Sequence, residues 1–195
     1  MALELIYDRT EEDAARWREL STKLDKQGWS ALTQAEQLQW LTQLKGGYNY
    51  TDLNRVGIAV SYLGQCFRDL LTHLVDYRER YGAANDALFR LPYTAEDIAI
   101  RPKTDWALGD PVWADQAAQY LANLSILRSL LPLSSDVPQV PPDIADLTVQ
   151  EANDIEKLLF DLDAEIAVTT KKVEKWIRDT AAAWVYSGDT CSGEV

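Results

Sequence analysis

The chain is short of the side chains from which most protein chemistry is built. Its 195 residues include one histidine, His73, and two cysteines, Cys66 and Cys191. That is too few soft ligands for a zinc site, and a disulfide between the two does not fit a reducing compartment. Cations are scarce as well: 19 Lys and Arg stand against 31 Asp and Glu, a formal net charge of −12. Phosphate binding needs clustered Lys and Arg, so this balance argues against nucleic acid as a partner. No apolar run approaches the length that spans a bilayer. The start, Met-Ala-Leu-Glu-Leu-Ile-Tyr-Asp, lacks the basic stretch and small-residue cleavage site of a signal peptide. The expectation is no membrane insertion and manufacture in a cytoplasm, where the sequons at Asn49 and Asn123 carry no meaning.

Chemical motifs are missing too. There is no Gly-x-Gly-x-x-Gly, Gly-Lys-Ser/Thr loop, Gly-x-Ser-x-Gly or His-Glu-x-x-His. His73 has no Cys or second His one helical turn away. Of Asp161, Asp163 and Glu165, only the first and last share a helix face, which reads as a solvated acidic surface. We therefore expect no catalytic residue, no cofactor, no metal and no enzyme. The acidity fits either solubility or docking onto a basic protein surface, and both readings stay open.

What the chain does have is helical pattern, with 47% apolar residues. Leu53, Val56, Val60, Leu63, Phe67, Leu70, Leu74, Tyr77 and Tyr81 alternate three-four spacing without a miss, a heptad stripe roughly 42 Å long at 1.5 Å per residue. Ala117, Tyr120, Leu124, Leu127 and Leu131 repeat it. So do Ile155, Leu159, Leu162, Ile166, Val173 and Trp176, with Thr169 as a polar interruption. Thr33-Gln-Ala-Glu36 and Thr148-Val-Gln-Glu151 are capping boxes. Thr10-Glu-Glu-Asp13 places acids in a first turn, and Asp110-Pro111 reads as an N-cap followed by Pro at the first helical position.

These signals predict five helices: 11–26 (Trp17, Leu20 and Leu24 inward, stop at Gly28), 34–44 (stop at Gly46-Gly47), 51–81, 111–131 and 149–180. The stretch 91–109 reads as a loop with one helical turn near 94–99. A Pro-rich connector spans about 131–146. A short echo, Asp52-Leu-Asn54-Arg-Val56 against Glu151-Ala-Asn153-Asp-Ile155, lies just inside two helix starts, where paired Asn side chains can cap or cross-link neighbouring helix ends.

Seven Trp are a surplus. Trp17 and Trp176 fall on inward stripes. Trp29, Trp106 and Trp113 are candidate surface aromatics, able to pack in the core, anchor a protein interface or stack on sugar. The end of the chain holds a near-duplicate, Tyr-Ser-Gly-Asp then Cys-Ser-Gly-Glu. It reads as a short extended arm over 184–195 whose Trp184, Tyr186, Gly188, Cys191, Gly193 and Val195 dock on a neighbouring subunit.

Five segments together resemble a family of helical, tail-associated structural proteins of phages and prophages of Gram-positive bacteria. They are Tyr7-Asp-Arg-Thr10, the run 44–57 (Leu-Lys-Gly-Gly-Tyr-Asn-Tyr-Thr-Asp-Leu-Asn-Arg-Val-Gly), Pro102-Lys-Thr-Asp-Trp106, the run 147–156, and the closing Ser-Gly repeat. The resemblance covers nearly the whole chain and brings no active site with it. The chain lacks the fibre repeat, collagen-like tract or lysin domain of a complete receptor-binding fibre.

The expectation is an all-α, elongated bundle (1–183) with heptad-patterned long helices, the Pro-rich connector and the extended arm. Helices 51–81 and 149–180 should pair. The resemblance implies a baseplate, tail-tip or fibre-attachment component of a virion or tail-like particle, in several copies, with other tail subunits as partners. Leu53, Val56, Val60, Leu63, Phe67, Leu70, Leu74, Tyr77, Ile155, Leu159, Leu162 and Ile166 are the expected helix-packing interface, within or between chains. The alternatives are a carbohydrate-contacting adaptor at the host cell surface and a cytoplasmic tail assembly chaperone.

Overall fold

A computed structural model describes residues 3–42, 44–81 and 98–188. Among them lie five α-helices, one 3-10 turn at Trp29–Ala31 and no strand: α1 Glu11–Gln27, α2 Gln34–Thr42, α3 Tyr50–Tyr81, α4 Ala114–Ser129 and α5 Val149–Gly188. The all-α class read from the sequence is the class observed.

The helix starts follow the capping chemistry. Asp13 N–H donates to Thr10 Oγ1 (3.2 Å) and Thr10 N–H to Asp13 Oδ2 (2.9 Å). The same reciprocal pair joins Thr33 to Glu36 (2.8 and 3.3 Å) and Thr148 to Glu151 (2.9 and 3.1 Å). α1 stops at Gly28, whose φ of 79° is one that L side chains rarely adopt.

The start of α4 departs from expectation. Asp110 is not its N-cap: its carboxylate accepts from Ala107 N–H (2.9 Å), closing a turn that includes Gly109 at φ 88°. The chain stays extended through Pro111, and Trp113 becomes the cap, its N–H held by Gln116 Oε1 at 3.2 Å. α5 runs to Gly188 instead of ending near 180, so Trp184, Tyr186 and Gly188 belong to a helix and not to an extended arm. Cys191, Gly193 and Val195 lie outside the described residues, as do 94–97 of the helical turn expected near 94–99, of which 98 and 99 are not helical.

α3 packs most extensively on α5, and α4 lies against both. Every stripe residue of α3 from Leu53 to Leu74 is buried, as are Ile155, Leu159, Leu162, Ile166 and Val173 of α5. The side chains of Tyr77 and Tyr81 fall outside the described set. The packing interface is therefore filled within one chain. Ala14 and Leu20 of α1 and Leu32 before α2 are also buried, outside the main core cluster. The connector after α4 is pinned by Arg128, whose guanidinium donates to the carbonyls of Pro138 (2.9 Å) and Val137 (3.3 Å).

Candidate functional site

The motif segments, scattered through the sequence, converge where α3 and α5 begin. The extended stretch 3–10 crosses this end and sends in Arg9, of which 5% is exposed. Its guanidinium donates to Asp52 Oδ1 (2.8 Å), Glu156 Oε1 (2.7 Å) and the Lys45 carbonyl (3.0 Å), and also to the Ile6 carbonyl. Arg55 completes the group. It makes two bonds to Glu156 (2.8 and 2.7 Å) and a third to Asp52. Two cations and two carboxylates thus neutralise each other out of water. The arrangement also satisfies the Ile6 and Asn49 backbone N–H groups, through Glu156 (2.7 Å) and Asp52 (2.9 Å). Burial works against the charge on Arg55, yet the carboxylates of Glu156 and Asp52 outweigh it and hold its pKa above the ordinary value.

The echoed asparagines do the same job twice. Asn153 on α5 accepts from Arg9 N–H (3.0 Å) and donates to the Arg9 carbonyl (2.9 Å). Asn54 on α3 accepts from Trp106 N–H (2.8 Å) and donates to the Trp106 carbonyl (2.9 Å). Each helix start clasps one residue of a passing extended segment by both backbone groups, which no regular partner strand satisfies. Close approach backs the Trp106 clasp at Gly57, and a second glycine lets the chain before α3 meet α1. A Cβ on Gly57 would stand 2.3 Å from the Lys103 carbonyl oxygen, and one on Gly47 would stand 2.3 Å from Trp17 Nε1. Beneath them Tyr48 and Tyr120 share a hydrogen bond of 2.5 Å. Burial raises the pKa of both phenols well above 10.

The sequence reading missed the Arg9–Glu156 pairing, although Glu156 falls between the inward residues Ala152 and Leu159 and was legible as an inward acid. The three candidate surface aromatics, for which core packing was also open, divide between the two places. Trp29 and Trp113 are exposed (42% and 63%), but Trp106 is not, at 5%. Trp106 packs in the main core, with Lys103 Nζ 4.6 Å above its ring. His73 is exposed on α3, and no group of three metal-ligating side chains occurs among the described residues. No described helix is long and apolar enough to cross a membrane.

Two surface features remain. Trp29, Leu38 and Leu41 line an open groove on α2, and Leu108, Val112 and Trp113 project from the stretch before α4. Between segment 101–106 and α4 lies a cleft of roughly 330 Å³, floored by Gly57 and Val60. The class that fold and site define is an all-α protein whose motif residues lock two extended segments onto helix starts. No family model, curated protein or solved structure matches the chain.

Proposed function

We propose that this chain is a structural component of a phage tail or tail-like particle, working by protein–protein assembly at the baseplate, tail tip or fibre attachment. The reading begins with the sequence resemblance. One structural observation supports it: the long apolar stripes are consumed inside the chain, while Leu38 and Leu41 on α2 and Trp29 on the turn before it stay exposed around one groove. Clustered large apolar side chains on a surface mark interaction sites. Assembly then proceeds through this face and the end of the chain, with neighbouring subunits as partners, and not through shared helical stripes.

The test pairs two variants. Leu41→Asp should keep the helical content and melting temperature of the parent, because Leu41 is 69% exposed and such substitutions shift stability by no more than about 0.5 kcal/mol. Removal of 189–195 should leave the described helices equally intact. Both should enter particles poorly when co-expressed with the remaining tail proteins. Normal incorporation of both would count against the assembly reading. Glycan-array binding lost in Trp113→Ala would favour the carbohydrate-contacting adaptor.

A further inference from the structure

The cleft beside α4 is built differently from the other grooves, because one of its lining residues holds a buried donor with nothing to donate to. Trp106 Nε1 is fully buried and has no acceptor. Asn123, 3% exposed, spends its Oδ1 on Arg101 N–H and Gln119 Nε2, both at 3.0 Å, and its Nδ2 has no partner among the described residues. Arg101 lines the cleft without an ion pair among the described residues, whereas Lys103 Nζ is held by Asp105 (3.2 Å) and Asp110 (3.9 Å). In a chain of net charge −12, Arg101 thus brings one unpaired cation beside free N–H groups. An unsatisfied buried donor is costly, so an acceptor-bearing guest has a ready gain here. The volume lies at the lower end of small-molecule sites.

We propose that this cleft binds a carboxylate. The Lys103 ammonium occupies one face of Trp106, which takes that face from a stacked sugar. Asp115 on the opposite wall repels a second negative charge, so a monoanion is preferred over phosphate. The carboxylate can belong to a free small acid or to the C-terminus of a polypeptide. This inference is independent of the particle reading, since binding can hold or fail whatever the chain assembles with.

The probe is sodium acetate, titrated into the full-length 15N-labelled chain at constant ionic strength against sodium chloride. The Trp106 indole and Asn123 side-chain amide resonances should move saturably with acetate, and at least fivefold more weakly with phosphate. Arg101→Gln should weaken binding at least fivefold. Asn123→Asp keeps the acceptor that Arg101 N–H uses but replaces the free amide with a charge, and it should abolish binding in a chain that still melts cooperatively. A short peptide with a free C-terminus that binds tenfold tighter than both its amide and acetate identifies a chain end as the source. Equal affinity for peptide and acetate identifies a free acid. No saturable movement of these two resonances, or equal movement with glucose, overturns the proposal.

Discussion

Arg9 carries more of this structure than any other single side chain. Among the described residues it is the one cation that reaches Asp52, Glu156 and the backbone of the N-terminal segment together. Removing one partner of a buried ion group leaves uncompensated charge, at a cost of about 3–5 kcal/mol. Arg9→Met, which keeps the length but not the charge, should therefore lower the urea midpoint by that equivalent while leaving the m-value unchanged. A loss below about 1 kcal/mol would mean that Arg55 alone neutralises the two carboxylates. Asn54→Ala should cost about 1–3 kcal/mol, since two backbone groups of Trp106 lose their partner, and should speed hydrogen exchange at Trp106 N–H. The asparagine echo was visible in the sequence, but its targets were not. Asn153 and Arg9 are 144 residues apart, and Asn54 and Trp106 are 52 apart. Local pattern says what a side chain offers and nothing about which distant backbone accepts it.

At the scale of elements, the boundaries that the sequence specified locally came out as read. The boxes at Thr33 and Thr148 and the Gly28 stop depend only on near neighbours. The start of α4 did not follow, because Asp110 had a competing local use in the 107–110 turn. Nor did the end of α5, where Gly188 is the last residue of the helix. The α1–α2 pair gives a pH signature. Glu36 receives Lys23 Nζ at 2.8 Å and then Thr33 N–H, and these bonds depress its pKa from 4.5 to about 2. A depressed carboxylate adds stability that is complete above its unfolded value and lost as pH falls through its folded one. Stability should decline between about pH 4.5 and 2, and Glu36→Gln should make that limb shallower. Thermal melts across this window, followed by circular dichroism, check it.

Across the whole molecule, the two phenols buried where α3 and α5 begin should stay protonated. Tyr48 and Tyr120 are held neutral by burial, whereas unfolded tyrosine ionises near 10. Because the unfolded state sheds these protons first, stability falls as pH rises above about 10. Ultraviolet titration should show two tyrosines silent until the chain unfolds, and Tyr48→Phe should leave one. Which helices pair was legible from the stripes. That they pair inside one chain was not, because three-four spacing is the same for an internal partner and for a second copy. The motif residues turn out to serve the fold, which shifts the search for function to the exposed faces.

The proposed structural place in a tail or tail-like particle is checked by quantitative mass spectrometry of particles purified from an induced lysate of the source bacterium. A tail component should occur there at a fixed ratio to the tail proteins, with a number that suggests ring or fibre symmetry. Absence from the particles, with abundance in the surrounding lysate, would contradict it and point to an assembly chaperone that leaves before the particle matures.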